Sequence, residues 1–292
     1  MTRRTGSQRL GREIGWVPSG VPTERSVLPA DVLATAFRAD ATRPRLTFYD
    51  DAVGPTRGER IELSAKVLSN WVAKAANALQ EDLDVTPGSR VLLDLPLHWR
   101  AVYWALAVWS VGATLVLPGA GDRAPSNRAP SNRAPSTGTV ADLGGDIALV
   151  VSDDVAVVAG ARSSGTGAVL VSLPMLARGH LDTPGGVFDE ARELATYGDV
   201  FDAWESPSPA AVALVGAAGV AAGPAAYGAL VVPRPEWGDR PRVELAGTLD
   251  RVLVDALSAW YADGSVVLVR DPDGEQQARR TSEGVTVRLS GG

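Results

Sequence analysis

From Ser64 to Leu117 the chain alternates helices bearing broad apolar surfaces with short, wholly apolar strands, and no other feature restricts its fold as much. Ser64 stands ahead of a run in which Val67, Leu68, Trp71, Val72, Ala75, Ala76, Leu79 and Leu83 recur at helical spacing, the pattern of a capped amphipathic helix. Pro87-Gly88 turns the chain into a strand at Arg90–Leu95. Trp99–Val111 is apolar on nearly every side and reads as a buried helix, and Thr114–Leu117 as a second apolar strand. Strands apolar on both faces and linked by helices build a parallel sheet that is covered on both sides. The expected fold class is therefore α/β, with layered, mostly parallel sheets and helices on both faces.

The flanks extend this plan. Pro29–Ala39 has helical spacing, and Arg45–Tyr49 with Arg60–Leu63 reads as a hairpin around a Gly/Pro loop. Further on, strands are predicted at Ile147–Val151, Val169–Ser172, Val212–Val215, Ala229–Val232 and Ser265–Arg270, with one more within Gly284–Ser290. Helices are predicted at Val187–Tyr197 and Ala246–Tyr261. Residues 1–28 read as a polar, flexible arm, which leaves 29–292 as one α/β domain. Residues 122–137 interrupt it with RAPSN, RAPSN, RAPST, a Pro/Ser-rich tandem repeat from Arg123 to Thr137. Such a tract buries no apolar surface and is expected to be an exposed insertion. Repeat expansion in a tolerant loop is favoured over a docking peptide.

Composition removes whole classes of chemistry. With no cysteine, thiolate metal sites, disulfides and cysteine nucleophiles are excluded. Of 28 basic residues only Lys66 and Lys74 are lysines, and His98 and His180 are the only histidines. A net charge of −6 argues against a nucleic-acid partner. Met1–Gly15 lacks the apolar core of a signal peptide. The uncharged stretch Ala101–Gly121 contains Ser110, Gly112, Thr114 and Pro118, which suit a buried helix turning into a strand better than a membrane span. The expectation is a cytoplasmic protein with no membrane partner.

Several segments, in order, resemble the start of an adenylate-forming enzyme, the AMP-binding superfamily of acyl-CoA synthetases and adenylation domains. They are LTFYD (Leu46–Asp50), ELSAKVLSNWVAKAANAL (Glu62–Leu79), PGSRVLL (Pro87–Leu93) and WALAVWSVGATLVLPG (Trp104–Gly119). LVDALSAWYADGSVVLV (Leu253–Val269) is similar to a later helix and strand of the same family. The likeness is greatest to a group of short actinobacterial proteins related to these enzymes. The resemblance implies part of the N-terminal domain of that fold, and the family's small C-terminal domain has no counterpart.

The same resemblance implies ATP-dependent activation of a carboxylate, which needs a phosphate cradle, positive charge and usually Mg²⁺. The family's cradle is a Ser/Thr/Gly-rich loop ending in Pro-Lys-Gly. At the matching place, after Val212–Val215, this chain reads GAAGVAAGPAAYG. Gly216, Gly219, Gly223 and Pro224 keep the backbone character and are the candidate ligand-binding residues, but the hydroxyls have become Ala and Val and the lysine position is Ala225. Backbone amides still suit an anion, whereas the charge-assisted side-chain donors are lost. Ser163–Gly167 imitates the loop by composition but comes too early and reads as a turn before a strand. Tyr197-Gly198-Asp199 imitates a later ribose-binding pair and reads as a helix C-cap.

No catalytic residue and no metal ligand is assigned. Lys66 and Lys74 lie on the Ser64 helix, away from either lysine site of the family, and a "YGxTE" stretch is missing. There is no G-x-S-x-G, GK[ST] loop or H-E-x-x-H. His98 reads as structural, His180 as exposed, and Asp50-Asp51 and Asp153-Asp154 as surface carboxylates at loop ends. The first reading is a non-catalytic relative with a ligand-binding or protein-interaction role and no cofactor. The second is a half-enzyme using ATP, AMP and Mg²⁺ with a separately encoded domain. The third is a structural or regulatory interaction protein.

Overall fold

A computed structural model describes residues 26–118, 146–216, 224–274 and 276–289. Helix α1 (Pro29–Ala39) leads into the hairpin β1 (Pro44–Asp50) and β2 (Arg60–Ser64), then α2 (Ala65–Glu81). Strand β3 (Arg90–Asp94), helix α3 (Trp99–Val111) and strand β4 (Thr114–Val116) follow, with limits within a residue or two of those read from the sequence. After them come β5 (Leu149–Ser152), α4 (Val155–Ser163), β6 (Gly167–Leu170), β7 (Phe188–Asp189) and α5 (Glu190–Glu193). The chain continues through β8 (Val212–Val215), β9 (Ala225–Ala226), β10 (Arg242–Leu245), α6 (Leu249–Tyr261), β11 (Ser265–Arg270), α7 (Gln277–Glu283) and β12 (Val287–Arg288).

The strands form two sheets, ordered β12-β10-β11-β1-β2 and β7-β6-β5-β3-β4-β8-β9. Among the described residues only β1/β2 and β8/β9 pair antiparallel; every other pair is parallel. The expected α/β class with mostly parallel sheets is what the chain adopts. Apolar side chains of both sheets share one core with α1, α2, α3 and α6, among them Leu46, Phe48, Leu93, Leu115 and Leu268. Leu92, Val116, Val150 and Leu170 point to the other face of the larger sheet, where Val158 and Ala161 of α4 cover them. Helix α3 is sealed between the layers, with every residue buried except Ser110. No helix among the described residues is long and apolar enough to cross a membrane.

Local chemistry accounts for the joints. Ser64 caps α2 by accepting from the Val67 amide at 3.3 Å, and Gly112 ends α3 in the left-handed region that favours glycine. Arg45, almost fully buried, donates to the carbonyls of Asp263, Gly264 and Ala36 and pairs with the Asp263 carboxylate at 2.6 Å. It thereby ties α1 and β1 to the α6–β11 turn. The turn itself needs Gly264, because a Cβ there would sit 2.3 Å from the Pro241 carbonyl oxygen.

Some predicted elements are corrected. Val187–Tyr197 is not one helix: β7, the four residues of α5 and a 3-10 turn at Leu194–Thr196 share it. Burial of Phe188, Asp189 and Glu190 in sequence fits a sheet edge better than a helical stripe. Ala229–Val232 is not a strand, because pairing with β8 ends at Ala226 and a 3-10 turn occupies Tyr227–Ala229. Helices α4 and α7 and strand β10 went unpredicted; α4 and α7 are short, and α7 has no apolar stripe at all. Val27 and Leu28, assigned to the arm, pack against the core. The rest of the arm and the RAPSN repeat lie outside the described residues.

Candidate functional site

Strands β8 and β9, which flank the glycine-rich candidate segment in sequence, pair as an antiparallel hairpin whose base is held firmly. Trp109 donates its indole N–H to the Ala213 carbonyl at 2.9 Å, and Thr114 donates its hydroxyl to Val212 at 2.8 Å. The Leu117 amide donates to Val215. On the other arm, buried Tyr227 donates to the Ala113 carbonyl at 2.7 Å, and burial pushes its hydroxyl pKa up. The hairpin is thus clamped to the C-terminal end of α3 and to β4.

Of the four candidate residues, Gly216 follows β8 and Pro224 precedes β9, while Gly219 and Gly223 lie outside the described residues. Ala225, at the lysine position, is half-buried and pairs with Leu214 across the hairpin. It offers no donor at the place where the resemblance expects an ammonium group.

One residue that the sequence reading passed over stands beside this hairpin. Asp250 lies in the first turn of α6 and is 4% exposed, and its Oδ2 has no hydrogen-bond partner among the described residues. A Cβ at Gly216 would stand 3.4 Å from the Asp250 Cβ and 3.5 Å from that Oδ2, ordinary contact distances that place the end of β8 directly against Asp250. The positive end of α6 favours the carboxylate, but a buried lone pair without a donor remains costly. Chemically, such an oxygen accepts an N–H, an O–H or an ammonium group. The signal in the sequence is only an Asp near a helix start, which is ordinary; its burial against Gly216 is visible only in three dimensions.

The other sequence candidates separate from this place. Lys74 donates to the carbonyls of Ala195 and Tyr197 and pairs with Asp199 at 2.9 Å. Asn77 donates to Gly198 and Val200, and Gln80 binds the backbone of Asp202 and Trp204. Spaced by three along α2, these side chains hold residues 195–204 as a strap. Tyr197-Gly198-Asp199 is therefore part of that strap and not the C-cap of a long helix. Ser163–Gly167 is the end of α4 and a turn into β6, in keeping with its reading as a turn. Lys66 is exposed.

His98 is structural. It caps α3 by accepting from the Arg100 amide through Nδ1, and burial, followed by the charges of Arg100 and Arg270, holds its pKa well below the usual imidazole range. His180, expected to be exposed, is half-buried and accepts from the Asp182 amide. Asp50, expected on the surface, is buried and accepts from Thr56, Arg270 and the Ala52 amide. Asp51 takes a bidentate pair from Arg279, and Asp154 caps α4. Among the described residues no group of three or more His, Asp or Glu is placed to hold a metal ion.

A chain of Mycobacterium tuberculosis (strain ATCC 25618 / H37Rv), a TIGR03089 family protein, is 36% identical over 191 residues, covering 64% of this chain and 67% of that one. No protein-family model matches the chain. Among solved structures, a Rhodopseudomonas palustris CGA009 protein provisionally named a long-chain-fatty-acid CoA ligase superposes with a TM-score of 0.64 at 20% identity, over 91% of this chain. The N-terminal domain of FACL13 from Mycobacterium tuberculosis gives 0.60 at 13% identity over 88%, and the NpsA N-terminal subdomain of Klebsiella oxytoca 0.59 at 15% over 92%. The chain spans 63%, 61% and 61% of those three, less than two thirds of each. Those likenesses establish the two-sheet fold of an adenylate-forming N-terminal domain, and the identity with the mycobacterial protein establishes that the chain belongs to the TIGR03089 family.

Proposed function

We propose that this chain is a non-catalytic, ligand-binding member of the adenylate-forming fold, and that its ligand presents an N–H or ammonium donor to Asp250 beside the β8–β9 hairpin. The observation that carries the reading is the orphaned Oδ2 of buried Asp250 against Gly216. A buried acceptor without a partner costs roughly 1–3 kcal/mol, and a ligand donor returns that amount as binding energy. Loss of catalysis is supported by Ala225 at the lysine position and by the absence of a side-chain donor there.

The test is a calorimetric and thermal-shift panel of small ammonium, amide and carboxylate compounds, run on the wild type and on Asp250→Asn. A compound that binds the wild type and loses roughly tenfold or more in affinity with Asp250→Asn supports the site. Equal binding to both proteins removes Asp250 from it. The half-enzyme reading requires Mg-ATP to bind this chain alone, so heat on adding Mg-ATP, displaced by an acyl-adenylate analogue, would favour that reading instead.

A further inference from the structure

Helix α7 is fastened to its sheet by a different chemistry from the long helices. Helices α2, α3 and α6 bury apolar residues, whereas α7 (QARRTSE) buries none, and Ala278 faces solvent. Its attachments are charged. Arg279 donates to both oxygens of Asp51 at 2.8 and 2.7 Å and lies over the Tyr49 ring at 4.3 Å. Arg280 Nε donates to both oxygens of Glu244 at 2.8 and 3.0 Å. Glu283 accepts from Tyr49, Arg242 and Arg60, the last at 3.0 Å. These partners come from β1 and the residue after it, from β2 and from β10, so α7 spans the outer face of the five-stranded sheet. By register, Thr47 and Val267 share that face, as do Tyr49 and Val269, and both valines are fully buried.

The remaining tether is short. Strand β12 pairs with β10 at Val243↔Val287 and Glu244↔Arg288, Thr286 exchanges hydrogen bonds with the Arg242 backbone, and half-buried Val287 and Leu289 pack on the core. If α7 lifts, Asp51, Glu244, Arg60 and Arg242 become hydrated, so no charge is stranded in a dry interior. Attraction between the ions is then set largely against their own desolvation, and such contacts are weak in net terms. Segments with few buried apolar contacts are the ones that open locally while the rest stays folded.

We propose that residues 276–289 form an electrostatic flap that detaches from the outer sheet face without global unfolding when its ion pairs are screened, uncovering Thr47, Tyr49, Val267 and Val269. The experiment is amide hydrogen exchange on the full chain at about 0.05 M and about 1 M salt, where the screening length falls to about 3 Å. The expected result is a rise of roughly tenfold or more in exchange across α7 and β12, with β11 and α6 unchanged. Glu283→Gln at low salt is expected to reproduce the rise in part. Unchanged exchange of α7 in high salt overturns the proposal, and so does a rise shared equally by β11 and α6, which would make the segment part of the global folding unit.

Discussion

Two clusters of arginine and glutamate in this molecule use the same chemistry under opposite conditions. Inside, Arg100 pairs with Glu190 at 2.6 Å and Tyr103 donates to the same carboxylate, all of them buried. Burial pushes the Glu190 carboxyl up, against the attraction of Arg100 and the hydrogen bonds of Tyr103 and Arg100. On the outer sheet face, Glu283 feels burial in the same direction, but hydrogen bonds from Tyr49, Arg242 and Arg60 outweigh it and hold the carboxyl at about 2. The difference teaches that an ion pair's consequence depends on what water can reach once the pair is broken. Loss of one inner partner leaves a charge sealed in the core; loss of one outer partner leaves charges that water solvates.

The largest effect expected from this comparison is on the inner cluster. Glu190→Ala leaves Arg100 unpaired in the core and is expected to cost about 3–5 kcal/mol, read by urea denaturation. Replacing both Arg100 and Glu190 with apolar residues of similar volume should cost less than the single change, and additive costs would break the interpretation. Next is the strap. Asn77→Ala removes two donors to the Gly198 and Val200 carbonyls and should cost about 1–3 kcal/mol, with exchange rising at 198–204. Ser64→Ala removes the α2 cap and should cost about 1 kcal/mol in the same denaturation assay.

The outer cluster gives the smallest global effect. Glu283→Gln should change global stability by under about 1 kcal/mol while loosening 276–289. Its pH dependence has a definite sign. The folded pKa is depressed from 4.5 to about 2, so the carboxylate stabilises docking above pH 4.5, and that contribution is lost as pH falls toward about 2. Asp51 shifts the same way, because the Arg279 hydrogen bonds outweigh its burial. Exchange of α7 should therefore accelerate across that window before the core strands do, and simultaneous loss would blur the distinction between the clusters.

Much of the fold was legible because its core elements carry their burial in their composition. The sealed helix Trp99–Val111, the Ser64 cap and the strands Val212–Val215 and Ser265–Arg270 follow from apolar runs and turn residues alone. The elements that escaped are held by contacts between distant residues. Helix α7 has no apolar stripe because arginine and glutamate side chains dock it, and β7 is two residues long. The proposed site was legible only in part. Gly216 and Pro224 are visible by type, and Ala225 stands where the resemblance expects a lysine. Asp250 lies far along the sequence from Gly216, and only the meeting of α6 with the end of β8 brings it into the proposed site.

We propose that this adenylate-forming fold has lost its charge-bearing chemistry, and pyrophosphate exchange tests that proposal directly. Purified chain, incubated with ATP, Mg²⁺, labelled pyrophosphate and a broad set of carboxylates, is expected to return no label to ATP above the no-enzyme control. Carboxylate-dependent incorporation of label into ATP would contradict it.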